Sequence, residues 1–214
     1  MKHMRVKICG ITSVQDARLA EEAGADAVGL ILAEGSKRQL SPAAAAVIAE
    51  SLNPFTSVVG VFRNQPLDFV LDTAARLRLA AVQLHGDESA QFTAAVRERF
   101  RVIRAVAYRP DLTVQALQSL PADAILLDAP QPGSGIAFDW DSAVATFRGM
   151  HGLILAGGLN PANVAEAVTR FAPAAVDVAS GVEAAPGIKS PQLVRSFLAA
   201  ARSPLPLSTG RSVC

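Results

Sequence analysis

The chain has 214 residues, half of them hydrophobic, and a formal net charge of +1. That length suits one large α/β domain or two small ones, and charge this scattered leaves no basic footprint for nucleic acid or an anionic membrane. The longest uncharged apolar run, residues 27–33, is far short of the ~20 residues of a membrane-spanning helix, and Asp16 interrupts the N-terminal stretch before a signal peptide's apolar segment could form. A small-molecule partner is expected, with no nucleic acid and no membrane. Cys9 and Cys214 stand near opposite ends with neither disulfide nor metal-ligand spacing, which fits a reducing cytoplasm. Residues 1–3 precede a second methionine and read as an appended stretch or an alternative start.

The first apolar run, 6–11, carries a thiol and is broken by Gly10. Side chains alternate along an extended chain, so Lys7, Cys9 and Ile11 share one face and Val6 and Ile8 the other. Helical periodicity follows: Ser13 and Asp16 resemble a capping box, Val14, Ala17, Ala20 and Ala23 form a stripe, and Gly24 stops it. A second run spans 27–32, and Ser41-Pro42 opens a helix with a capping hydroxyl and a proline at the first helical position. The third run, 58–62, precedes a helix begun by Pro66 with Leu67, Val70, Leu71 and Ala74 inward. After the fourth run, 81–85, Asp87 can cap a helix carrying Phe92 and Val96. The fifth, 102–106, is followed by a weakly patterned stretch, 111–120, that predicts a short or irregular helix. Behind the sixth, 124–128, Asp139 or Asp141 can cap a helix with Val144 and Phe147. The seventh and eighth, 153–156 and 175–180, precede Asn160-Pro161 and Ser190-Pro191 helix starts.

Eight strands alternating with helices, spaced roughly 20 to 30 residues apart, predict a single parallel (β/α)8 TIM barrel over residues 1–200. An open doubly wound sheet is the alternative, but no Gly-x-Gly-x-x-Gly fingerprint follows the first strand. Residues 201–214, rich in proline and serine, predict a flexible tail.

Active sites of such barrels lie at the carboxyl ends of the strands. There stand Cys9, Arg38, His85, Asp128 and Ser180. Each has a plainer alternative: Cys9 as a small buried hydrophobe, Asp128 as a turn cap, Arg38 as part of a solvated loop, His85 as a satisfied barrel histidine or a wall of the site. Facing one another across a mouth, Cys9 and Asp128 would supply a base and an acid. Gly157, Gly158, Ser180 and Gly181 end strands seven and eight, the usual phosphate seat of these barrels, where bare backbone amides approach an anion. A sugar phosphate is the expected ligand. Arg38 overhangs the mouth, where a guanidinium forks to a carboxylate. Gly133-Ser134-Gly135 reads as a mobile loop bordering the site.

Taken together, Lys7-Ile8-Cys9-Gly10-Ile11-Thr12, Gly24-Ala25-Asp26-Ala27-Val28-Gly29, Val59-Gly60-Val61-Phe62, Gln83-Leu84-His85-Gly86-Asp87-Glu88, Leu127-Asp128-Ala129, Gly133-Ser134-Gly135 with Phe138-Asp139-Trp140, Ala156-Gly157-Gly158-Leu159, and the stretches 177–183 and 187–189 resemble the successive motifs of the phosphoribosylanthranilate isomerases. The resemblance runs in family order from Lys7 to about Phe197. Two positions depart from it, Ile136 where a lysine or other polar residue is usual, and Arg63 where a small or aliphatic residue is commoner.

The resemblance implies an Amadori rearrangement of N-(5-phosphoribosyl)anthranilate in tryptophan biosynthesis, with no cofactor and no metal. It implies Asp128 as the acid that opens the furanose ring, Cys9 thiolate as the base at the neighbouring carbon, Arg38 on the anthranilate carboxylate, and Gly157, Gly158, Ser180 and Gly181 on the phosphate. His85 is placed beside the substrate. Burial is expected to raise Asp128 and nearby positive charge to lower Cys9. Parity puts Lys7 and Asp177 inside adjacent strands, predicting an internal ion pair beneath Cys9. The sugar isomerase of histidine synthesis, which needs two carboxylates, is disfavoured by Cys9, and a silent sugar-phosphate sensor by the intact acid, base and cradle. Monomer and homodimer are both open.

Overall fold

Residues 3–129 and 140–203 are described by a computed structural model. Eight parallel strands close on themselves in sequence order: β1 (Arg5–Cys9), β2 (Ala27–Ile31), β3 (Ser57–Phe62), β4 (Ala81–Leu84), β5 (Val102–Ala107), β6 (Ala124–Asp128), β7 (Leu153–Leu155) and β8 (Ala175–Val178). The barrel shuts where β8 pairs with β1, Lys7 standing opposite Asp177 in the register. Outside lie α1 (Val14–Glu22), α2 (Pro42–Glu50), α3 (Leu67–Arg76), α4 (Ala90–Arg97), α5 (Val114–Gln118), α6 (Trp140–Phe147), α7 (Val164–Phe171) and α8 (Pro191–Arg202). Between β8 and α8 a 3₁₀ turn, Ser180–Val182, leads into a small antiparallel hairpin of β9 (Glu183–Ala185) and β10 (Ile188–Lys189) that the sequence reading did not predict.

Alternation along each strand divides the apolar residues into two clusters. The outward set, with Val6, Ile8, Val28, Leu30, Phe62 and Leu84 among it, packs under the helices. The inward set is small: Val59, Ile103, Ala105, Leu126, Ile154 and Ala156, resting on Ala27, Ala81, Ala124 and Ala175. Those four alanines come one each from the even strands and close the amino-terminal end, the layering that a tilted eight-strand barrel imposes. At the next inward position the odd strands carry Val59, Ile103 and Ile154, and β1 carries Lys7. A charge inside the barrel at this depth needs a partner.

The helix starts follow the capping chemistry, with three exceptions. Ser13, Ser41 and Ser190 cap α1, α2 and α8 through hydrogen bonds to backbone N–H groups. The second half of the Ser13–Asp16 capping box does not form. Asp16 is buried and accepts instead from the Lys189 N–H at 3.2 Å, because β10 lies over α1 and that donor needs an acceptor. Ser89, not Asp87, caps α4. Asn160 and Pro161 form a turn ahead of α7, which begins only at Val164. The weakly patterned stretch after β5 yields the five-residue α5, short as expected. α8 runs through Arg202, past the expected domain end at 200, because Arg202 Nη2 reaches back to the Gly24 carbonyl and to Asp26 Oδ2. Pro130, the glycine loop, Ile136, Asp139 and the tail from 204 with Cys214 lie outside the described residues.

Candidate active site

At the carboxyl ends of the strands lies a hollow of about 690 Å³. Cys9, Arg38, His85, Asp128, Gly157, Gly158, Asp177, Ser180 and Gly181 all line it. Of the residues singled out in the sequence, Lys7 alone is set deeper.

Cys9 is the last residue of β1 and faces inward, 5 % exposed. Its room is made by Gly29 on β2. A Cβ there would come within 2.6 Å of the Cys9 sulfur and 3.1 Å of Lys7 Cε. Beneath the thiol, Lys7 Nζ donates to Asp177 Oδ1 at 2.8 Å, both side chains being buried. This is the internal pair that strand parity predicts. Burial alone would lower the Lys7 ammonium, yet the Asp177 carboxylate and Cys9 outweigh it and hold Lys7 above the ordinary lysine range. For Cys9 the balance is the reverse of the expectation. Burial pushes the thiol up, and the charges of Lys7 and Lys189 offset that only in part.

The segment after Cys9 turns on Gly10, whose φ of +72° is left-handed and which carries no Cβ to block the Arg38 stem lying over it. Arg38 is not free to swing. Its Nε and Nη2 fork onto the two Glu183 oxygens at 2.6 and 2.7 Å, leaving Nη1 for a ligand. Glu183 also accepts from Lys189 Nζ at 2.9 Å, and Lys189 reaches the Ala179 carbonyl as well. Two cations therefore share one carboxylate, an excess of positive charge beside the hollow. Burial opposes ionisation of Glu183, but hydrogen bonds from Arg38 and the charge of Lys189 carry it below the ordinary carboxylate range. Arg38 is raised by its bond to Glu183. Lys189, fully buried, is lowered by desolvation despite Glu183.

The two loops that carry the glycines are in backbone contact. Gly157 and Gly158 both have positive φ, +80° and +70°, and a Cβ on Gly157 would strike the Ala129 nitrogen at 2.4 Å. A Cβ on Gly181 would strike the Leu159 carbonyl at 1.9 Å, so the seventh and eighth loops meet only because no side chain intervenes. Asn163 pins the seventh loop by donating to the Gly158 carbonyl and accepting from the Asn160 N–H. Ser180 and Gly181 start the 3₁₀ turn, where the first N–H groups of a helical segment have no partner within it.

Across the hollow, Asp128 ends β6 and is 7 % exposed. Its Oδ1 accepts from the Ala129 N–H at 2.8 Å, while Oδ2 stands 3.3 Å from His85 Nε2. The Gln83 amide nitrogen lies 3.1 Å from His85 Nδ1. Gln83 Oε1 is buried and has no partner among the described residues. Above them Glu88 and Arg104 form a partly buried pair at 2.7 Å that holds the loop after β4, and Arg63 Nη2 ties the loop after β3 to the Glu34 carbonyl.

Three participants had no role in the sequence reading: Glu183, Lys189 and Gln83. Glu183 and Lys189 lie in motif stretches of the eighth loop, and Gln83 shares the inward parity of His85, but only folding shows whom each one meets.

Among known proteins, the sequence model of the N-(5'-phosphoribosyl)anthranilate (PRA) isomerase family matches residues 6–200. The N-(5'-phosphoribosyl)anthranilate isomerase of Citrifermentans bemidjiense is 50 % identical over 202 residues, covering 92 % of this chain and 97 % of that one. The crystal structure of phosphoribosyl anthranilate isomerase from Thermus thermophilus superposes with a TM-score of 0.83 at 45 % identity, over 92 % of this chain and 98 % of the other. A phosphoribosyl anthranilate isomerase solved with reduced 1-(o-carboxyphenylamino)-1-deoxyribulose 5-phosphate superposes with a TM-score of 0.80 at 41 % identity, again over 92 % and 98 %. With a matching sequence model across the barrel and relatives at this identity along nearly the whole chain, this protein belongs to the N-(5'-phosphoribosyl)anthranilate isomerase family.

Proposed function

We propose that this chain converts N-(5-phosphoribosyl)anthranilate into 1-(2-carboxyphenylamino)-1-deoxyribulose 5-phosphate, the Amadori step of tryptophan biosynthesis, with Cys9 as base and Asp128 as acid. The observation that supports it most is that a thiol from β1 and a carboxyl from β6 line one hollow, with a two-loop anion seat beside them. The substrate's phosphate fits the N–H groups of Gly157, Gly158, Ser180 and Gly181. Its anthranilate carboxylate is met by Arg38 Nη1, the opposite guanidinium edge being held by Glu183.

The chemistry follows from where protons must go. Asp128 gives its proton to the ring oxygen, the ring C–O bond breaks, and the nitrogen lone pair forms the Schiff base. Cys9 as thiolate takes the proton from the adjacent sugar carbon, and those electrons neutralise the Schiff base to an enolamine. Asp128 takes the enol hydroxyl proton back and Cys9 returns its proton to the first sugar carbon, which gives the ketone and restores both groups. His85 stands beside Asp128, its Nε2 3.3 Å from Oδ2, and borders the substrate there. The reaction is cytoplasmic, and the enzyme acts as a monomer or a homodimer. No helix among the described residues is long and apolar enough to cross a membrane.

The test is direct. Purified chain, given phosphoribosylanthranilate made in place, should consume the substrate's fluorescence with saturation kinetics. Loss of signal no faster than spontaneous hydrolysis overturns the reading.

A further inference from the structure

The Lys7–Asp177 pair is buried, salt-bridged at 2.8 Å, and has no part in the steps above, although it sits against Cys9. A neutral pair at this depth is not explained by stability, since desolvating two charges costs about as much as their attraction returns. Its placement offers another reason. Lys7 and Cys9 are successive inward residues of one strand, and Gly29 opposite them is the gap through which the Lys7 stem and the sulfur come together. Asp177 approaches from β8, on the far side of the ammonium.

We propose that Lys7 is a positioning residue for the Cys9 proton, its ammonium being the counter-charge on which the thiolate forms, with Asp177 both holding that ammonium and limiting its effect. This rests on the reading of Cys9 as base. The pair acts on the sulfur as a dipole with its positive end nearer, and Lys7 weighs on Cys9 more than Asp177 does. Other charges reach the sulfur from neighbouring elements: Lys189 on β10 and Arg38 from the loop after β2, both shared with Glu183. Facing it across the hollow are His85 and Asp128, and β2 presents only Gly29. Among these, Lys7 alone stands on Cys9's own strand with a carboxylate dedicated to it.

The arrangement makes two changes act in opposite directions, which damage to packing would not. The thiolate's ultraviolet absorbance is followed against pH as the difference between each full-length protein and the same protein carrying Cys9→Ser, so that Cys214 cancels. Asp177→Asn, which leaves the ammonium unopposed, should move the Cys9 midpoint down by about one to three pH units. The double variant Lys7→Met/Asp177→Asn, which removes both charges and leaves none unpaired, should move it up and lower kcat at least about tenfold with KM within about twofold, while Lys7→Arg stays near wild type. Midpoints that stay put, or move together, in folded Asp177→Asn and double variants overturn the proposal. Failure of the underlying base assignment shows separately, as wild-type turnover by Cys9→Ala.

Discussion

The two walls of the hollow are built to different standards. On the wall of β1, β8 and the β9–β10 hairpin, each charged side chain described above is tied to another: Lys7 to Asp177, Arg38 and Lys189 to Glu183. On the wall of β4 and β6, Asp128 is met by His85 at 3.3 Å and Gln83 keeps a buried oxygen with no partner among the described residues. The first wall keeps one donor edge beyond these pairs, Arg38 Nη1, whereas the second holds acceptor capacity that a ligand hydroxyl can fill. The difference teaches where each half of the chemistry gets its order. On the proposed assignment the thiolate must form against its own burial, which takes fixed charge, and the carboxyl must be aimed at the ring oxygen.

Four results would break or sharpen that contrast. The largest concerns the proposed base and acid. Cys9→Ala and Asp128→Asn should each cost about 10²- to 10⁴-fold in kcat while product affinity, read by fluorescence titration, stays close to wild type; normal turnover in either removes its wall from the chemistry. Next comes the keystone of the first wall. Glu183→Ala leaves Arg38 and Lys189 without their shared carboxylate, a change that should cost about 3–5 kcal/mol in urea unfolding and raise KM as Arg38 loses its position. A loss under about 1 kcal/mol would mean the wall is not held by charge at all.

The third is a pH profile. Because burial raises Cys9, kcat/KM should still be climbing above pH ~8.5, the ordinary thiol value, and a plateau already reached at neutral pH would contradict it. Stability carries the matching sign. A thiol raised in the folded state favours folding while protonated, and that advantage fades as pH rises from the ordinary thiol value through the raised one. The smallest effect belongs to the second wall. Gln83→Met removes a weak contact to His85 together with an unpaired oxygen, so folding stability should change by less than about 1 kcal/mol while kcat falls only a few-fold. A drop as large as that of Asp128→Asn would show the second wall to be as tightly constructed as the first.

Much of this was legible in the residues. Period-two runs separated by helical stripes give eight strands and their order, and parity along β1 and β8 is enough to set Lys7, Cys9 and Asp177 on the inside. Gly157, Gly158 and Gly181 mark loops where backbones must approach closely, a demand that absence of a side chain announces locally. What local pattern missed has one character. Asp16 reads as half of a capping box until β10 supplies a buried N–H from more than half the chain away. Arg38 reads as a free clamp until the hairpin brings Glu183 to it across 145 residues.

The sequence by itself determined the barrel, the inward set and the chemical types at its mouth, because alternation and capping are properties of neighbours along the chain. Only the tertiary structure decided which charges share a partner and which way Cys9 is pushed. Desolvation and Coulomb attraction depend on everything that surrounds an atom, and those surroundings exist only once distant strands have closed around it.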